Sequence, residues 1–216
     1  MAKRSLPGAN KPMSLWAIVP VKPLRRGKSR LAEILTEDER SRLNHHLFSH
    51  TIDVLLQVDA ISEILVVSRD SNVLTESREK RVRTVTENGT PELNNALRRA
   101  SLFSNVFSKE GVLIVPADLP MLTPGDVTDF LVQRTQPPVM VISPDRRRLG
   151  TNMLLINPAD LITFSFGEES FTKHCNLANQ KGAEVIVYEN ERIALDLDVP
   201  EDYEILRLKS VLPISV

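Results

Sequence analysis

The 216-residue sequence has a single cysteine, Cys175. An internal disulfide framework and a cysteine-rich zinc site are therefore both excluded, and the usage fits a reducing, cytoplasmic setting. No charge of one sign dominates: the formal net charge is −1, so no global basic field points to nucleic acid. No apolar run approaches the ~18 residues that a membrane span requires. The first residues carry Lys3 and Arg4, but Ser5 to Pro12 is polar and bears proline and glycine, without the apolar stretch of a secretory signal. Residues 1–13 read as a loose tail, with Met13 as an alternative start. Internal repeats, low-complexity stretches and linkers are also missing. Residues 14–216 are then one large domain, long enough to bury a substantial core.

What is present is an alternation of short β-type runs and helical stretches. Strands are expected at Leu15–Val19, Ile64–Val67, Val82–Val85, Val112–Val115, Val139–Ser143, Met153–Ile156, Val185–Val187 and Ile193–Leu195. Thr36 with Glu39 predicts a capping box opening a long helix that carries Leu43, Leu47, Val54, Leu55 and Val58 at helical spacing. Thr90-Pro91 and Thr123-Pro124 each open a helix in cap-then-proline order. Ser170 reads as the N-cap of a helix reaching about Gln180, and Pro200 begins the last one. The pattern predicts an α/β fold, a mostly parallel central sheet with helices on both faces.

Three acidic residues stand out. Asp118 lies in Pro116-Ala117-Asp118-Leu119-Pro120, directly after the apolar run 111–115. Asp196 and Asp198 follow Ile193-Ala194-Leu195. Both places read as carboxyl ends of buried strands, where open α/β sheets bind ligands. In extended chain, Asp196 and Asp198 face one way while Leu195 and Leu197 face the core. Three carboxylates on one rim suit a hard divalent cation, and Mg²⁺ leaves positions for phosphate oxygens. The loop after the first strand carries Lys22, Lys28 and Arg30, which can hold a triphosphate. Gly27-Lys28-Ser29 is not a P-loop, since Lys22 stands where the motif needs glycine.

Other segments carry weaker signals. In 86–94, the helix-start amides and Asn94 can contact a base or ribose. Gly150 permits close backbone approach and Thr151 can donate to an oxyanion. In Phe166-Gly167-Glu168-Glu169-Ser170-Phe171, the helix start favours phosphate or carboxylate, with Ser170 also serving as a cap. His46 and His50 are one turn apart but lack a zincin glutamate and read as a packed or solvated pair. His174 is placed to approach the anion site or to be a plain helical residue, and Cys175 reads as a small buried hydrophobe.

Taken in order, Val19-Pro20-Val21-Lys22 with Lys28-Ser29-Arg30-Leu31, Pro116-Ala117-Asp118-Leu119-Pro120, Gly150-Thr151-Asn152, Phe166-Gly167-x-x-Ser170-Phe171-x-x-His174 and Leu195-Asp196-Leu197-Asp198-x-Pro200-Glu201-Asp202 resemble the guanylyltransferase family that acts on 2-phospho-L-lactate or phosphoenolpyruvate in coenzyme F-420 biosynthesis. The resemblance runs from about Leu15 to Leu206. It implies a nucleotide-diphospho-sugar-transferase-like fold akin to the molybdenum-cofactor guanylyltransferases, with GTP and a small phosphorylated acid as substrates and Mg²⁺ as cofactor. It also implies Asp118, Asp196 and Asp198 as metal ligands, and Thr151, Gly167 and Ser170 as contacts to the acid. Asp118 and Lys28 are the expected catalytic groups; Lys22, Lys28, Arg30 and Asn94 are the expected nucleotide contacts. Two departures from the family pattern are Glu92, where glycine is usual, and Val199, where a capping threonine is frequent. Rival readings are a sugar-phosphate or molybdopterin nucleotidyltransferase, and a non-catalytic nucleotide-binding module.

Overall fold

Leu15–Val21 (β1), Ile61–Ser68 (β2), Arg83–Thr86 (β3), Val112–Ile114 (β4), Val139–Pro144 (β5), Thr151–Asn157 (β6) and Glu184–Val187 (β7) form one sheet in the order β3-β2-β1-β4-β6-β5-β7. The structure, a computed structural model, describes residues 15–87, 92–107 and 110–211. The expected tail at 1–13 and the Thr90-Pro91 helix start lie outside those residues. β6 runs antiparallel to both β4 and β5; the other pairings are parallel. The expected mostly parallel sheet is thus observed, with one reversed strand that shares a hairpin with β5. Among the described residues, no helix is long and apolar enough to cross a membrane.

β1 shows why this sheet is covered on both faces. Its residues alternate between two cores, Leu15, Ala17, Val19 and Val21 in one and Trp16 and Ile18 in the other, as the two-residue period of a strand requires. The first core packs Glu37–Leu55 (α1), Ser71–Glu79 (α2) and Pro124–Leu131 (α4) through Phe48, Ile52, Val73, Val127 and Phe130. The second packs Leu93–Phe107 (α3) and Ser170–Gln180 (α5) through Leu97, Ala100 and Ala178. The expected Thr36–Glu39 capping box forms, and Thr123 makes a second one with Asp126. α2 had no counterpart in the sequence reading; its local signal is Asp70, whose carboxylate accepts from Asn72 N at 3.0 Å as an N-cap.

One expected strand is absent. Ile193–Leu195 is the end of a short helix, Glu191–Ala194 (α6). Three apolar residues are too few to show a period, and the side chain of Asn190 decides the matter by accepting from Arg192 N at 2.8 Å and Ile193 N at 3.2 Å. Arg192 then grips the buried carboxylate of Asp126 on α4. The last helix, Pro200–Leu208 (α7), follows as expected. In place of a capping threonine at Val199, Asp202 accepts from Asp198 N at 3.1 Å and Val199 N at 3.0 Å.

A third, smaller core beside the sheet contains Leu31, Leu35, Leu43, Leu47, Leu195, Leu197 and Leu206. It clamps the loop after β1, the start of α1 and the chain between α6 and α7 into one unit. Fully burying a leucine such as Leu197 stabilises by roughly 1.5–3 kcal/mol. β1 sits between β2 and β4, where the chain changes direction of winding. The loops after β1 and β4 therefore flank a topological switch point, the general location of ligands in such sheets.

Candidate active site

The loop after β1 is two 3₁₀ turns, 24–26 and 29–31, joined at Gly27 and Lys28. Asn44 from α1 donates to Leu24 O at 2.6 Å, and a Cβ on residue 27 would lie 2.6 Å from that same amide nitrogen. A side chain there would displace the Asn44 amide, so glycine serves close approach rather than an unusual φ. Lys28 follows in the left-handed region, φ 57°, a conformation that a lysine holds at a cost of about 1 kcal/mol or more. Its side chain is almost fully buried, and Nζ donates to Asp118 Oδ2 at 2.8 Å.

Asp118 is carried by the segment after β4, anchored by the buried Leu119 and Leu122. Its carbonyl accepts from Leu197 N at 3.0 Å, which lays residues 195–198 alongside. Leu195 and Leu197 enter the third core as the alternation predicts. Asp196 lies over Asn152 of β6, whose amide donates to Ile193 O at 2.9 Å and points at Asp196 Oδ1 at 3.4 Å. Burial, and then the like charge of Asp118, push the Asp196 carboxyl up to about 7, against weaker downward pulls from Asn152 and Lys28.

Asp198 is placed differently. Arg30 Nη1 donates to its Oδ2 at 2.6 Å, with the Arg30 side chain largely and that of Asp198 partly exposed. Among the described residues, no three His, Cys, Asp or Glu side chains converge as a metal-ligand cluster. Of the three expected carboxylates, Asp198 is held by Arg30, and Asp118 and Asp196 repel one another. The pair still fits Mg²⁺, which takes one or two carboxylates together with substrate phosphates, and a cation would relieve the repulsion that raises Asp196.

On the other face of β6, Thr151 Oγ1 is 3.1 Å from His174 Nδ1, and Ser165 N donates to His174 Nε2 at 2.9 Å. Burial lowers the His174 pKa to about 4, so the imidazole is neutral. Thr151 lies three residues before Leu154, the partner of Ile114, and Asp118 lies four residues after Ile114. Gly167 has φ +121° and open space where a Cβ would sit; the backbone conformation itself calls for glycine. Ser170 is buried at the first position of α5, and the N-cap is Glu169 at φ 54°, not Ser170 as expected. Two amides of that helix start are engaged, Ser170 N with Gly167 O and Phe171 N with Leu149 O.

Other expected contacts have different partners. Asn94 accepts from Phe166 N at 2.7 Å and donates to Phe166 O at 3.2 Å, so its amide clasps the Gly167 loop to α3. The Glu92 carboxylate accepts from Asn95 on the same first turn. Lys22 is exposed just past β1. His50 contacts Leu122 O at 3.0 Å, consistent with a packed histidine. Sequence reasoning assigned no role to Asn152, Asp126 or Asp202. For Asn152 the available signal was its place next to Thr151 in a strand, which sends the two side chains to opposite faces.

The chain matches the protein family described as "Guanylyl transferase CofC like" over residues 15–209. It is similar to a phosphoenolpyruvate guanylyltransferase of Rubrobacter xylanophilus, 39% identical over 190 residues, covering 88% of this chain and 92% of that one. It is also similar to a 2-phospho-L-lactate guanylyltransferase of Methanocaldococcus jannaschii, 32% identical over 191 residues, covering 88% and 81%. Among solved structures it resembles a putative nucleotide-diphospho-sugar transferase from Desulfovibrio desulfuricans G20, with TM-score 0.71, 17% identity and coverage of 90% and 87%. That likeness shows the fold.

Proposed function

The chain belongs to the CofC-like guanylyl transferase family, and on that premise we propose that it joins GMP from GTP to a phosphorylated three-carbon acid, phosphoenolpyruvate or 2-phospho-L-lactate, releasing pyrophosphate, in the cytoplasmic synthesis of coenzyme F-420. The observation that carries this reading is the Lys28–Asp118 ion pair beside Asp196, at the switch point of the sheet. A non-catalytic binding module has no use for a buried carboxyl raised to about 7 by burial and by a neighbouring carboxylate. Phosphoenolpyruvate is the acceptor to test first, because the relative at 39% identity bears that name.

An oxygen of the acceptor phosphate attacks the α-phosphorus of GTP in line with the departing pyrophosphate. The nucleophile is already an anion at neutral pH, so no general base is needed, and catalysis comes from positioning and charge neutralisation. Lys28, fixed by its loop, neutralises phosphate charge at short range; Lys22 and Arg30 add positive charge along the same rim. Asp118 and Asp196 would hold Mg²⁺, which supplies a positive centre for phosphate oxygens. Thr151, Ser170 and the backbone at Gly167 bind and orient the acid. Asn152 keeps the Asp196 segment against β6.

The test is incubation of the protein with GTP, Mg²⁺ and each acid in turn, with mass detection of the guanylylated acid and of pyrophosphate. Product with phosphoenolpyruvate or 2-phospho-L-lactate is expected. Product only with sugar phosphates or molybdopterin would replace this reading with that of a related nucleotidyltransferase.

A further inference from the structure

His174 is wholly buried, carries no charge and lies on α5 one turn after Ser170. Residues four apart on a helix share a face, so Ser170 and His174 both look toward β6. Phe166 packs edge-on against the imidazole, with ring centroids 4.9 Å apart. The two ring nitrogens have distinct partners. Nε2 is 2.9 Å from the backbone N–H of Ser165, and an amide nitrogen only donates. Nε2 is therefore the unprotonated nitrogen. In a neutral imidazole the proton is then on Nδ1, which faces Thr151 Oγ1 at 3.1 Å. A hydroxyl that accepts from Nδ1–H cannot donate along that line, so its own hydrogen is directed elsewhere.

We infer that His174 is a positioning residue, locked by the Ser165 amide as the Nδ1–H tautomer so that the Thr151 hydroxyl is held as a donor toward the anionic end of the acceptor acid. This deepens the proposed function and rests on its placement of the acid at Thr151. The chain Ser165 N–H to His174 to Thr151 O–H has one direction throughout. A hydroxyl free to rotate would present a lone pair to an anion part of the time; one already accepting from His174 has a lone pair committed there, which biases it toward presenting hydrogen. The Gly167 loop takes part as well, since Ser165 and Phe166 both belong to it and Asn94 clasps Phe166. Ordering of that loop and orientation of the Thr151 hydroxyl are thereby coupled through one imidazole.

The first measurement is the ¹⁵N–¹H long-range correlation spectrum of the histidine rings in the intact protein, assigned with His174→Gln. A neutral Nδ1–H tautomer is expected for His174; the Nε2–H tautomer would overturn the inference without any mutant activity being needed. The second is a kinetic set. Thr151→Val should raise KM for the acid about tenfold to a hundredfold, the loss of a hydrogen bond to charge, with KM for GTP unchanged. His174→Gln, whose amide oxygen can take over the Nε2 role but offers no donor at Nδ1, should show a similar rise. His174→Asn, whose amide nitrogen sits at the Nδ1 place, should keep most of the wild-type acid KM. Adding His174→Gln to Thr151→Val should bring no further rise. Equal effects of Gln and Asn, or wild-type KM in both, would reduce His174 to packing while leaving Thr151 in the acceptor site. An unchanged acid KM in Thr151→Val would instead remove the acceptor placement, and this inference with it.

Discussion

Asp126 is the most heavily hydrogen-bonded carboxylate among the described residues, and replacing it tests how the active-site segment is held. It is 1% exposed on α4. It accepts from Thr123 N at 3.0 Å, Thr123 Oγ1 at 2.6 Å, Asn190 Nδ2 at 2.9 Å and Arg192 Nε at 2.8 Å. Burial alone would raise its pKa, but the Arg192, Thr123 and Asn190 hydrogen bonds together outweigh burial and bring it from 3.8 to about 2. A depression of that size is worth roughly 2.5 kcal/mol. Arg192 is 49% exposed, so water screens part of the interaction and about 2 kcal/mol is the expected share. The sign follows from the depressed pKa: the contribution is complete above pH 3.8 and fades as pH falls through 2. Asp126→Asn should therefore lower stability by about 2 kcal/mol at pH 7, a fall in Tm of about 4–8 °C for a chain of this size. The gap should narrow between pH 4 and pH 3. Urea unfolding at pH 7, 4 and 3 measures it, with an unchanged m-value expected. Loosening α6 also frees Asp196, so kcat should fall more than either KM. A difference under about 0.5 kcal/mol at pH 7, or a gap as large at pH 3 as at pH 7, would refute the reasoning.

Asp118→Asn and Asp196→Asn should each lower kcat about a hundredfold or more, whereas Asp198→Asn should cost less than about tenfold, because an exposed ion pair with Arg30 is worth little; a loss at Asp198 as deep as the other two would restore it to the metal set. Lys28→Ala should raise KM for GTP by roughly tenfold to a hundredfold through loss of a charged hydrogen bond, and a rise confined to the acid would move Lys28 out of the nucleotide site. Gly167→Ala, forced to φ +121°, should cost roughly 1–3 kcal/mol in stability and raise the acid KM while sparing GTP; an unchanged acid KM would take the Gly167 backbone out of the acceptor site.

Much of this protein is determined by residues within a turn or two of one another. The buried runs of β1 and β4, the Thr36–Glu39 and Thr123–Asp126 boxes, and the alternation that sends Leu195 and Leu197 inward are local matters. They follow from hydrogen-bond geometry and side-chain period alone, which is why the α/β class, most strands and the position of Asp118 after a buried strand were readable in the sequence. Tertiary structure decided what local chemistry left open. The short helix that Asn190 caps at 191–194 is docked by Arg192 on Asp126, 66 residues away. Asp198 pairs with Arg30 across 168 positions. Asn94 became a clasp because Phe166 was folded onto it from 72 residues on. Lys28 meets Asp118 only because β1 and β4 are neighbours. A single polar side chain carries no period and can satisfy itself with any partner the fold delivers; its role is settled by register and topology, which bring together groups that the chain keeps far apart.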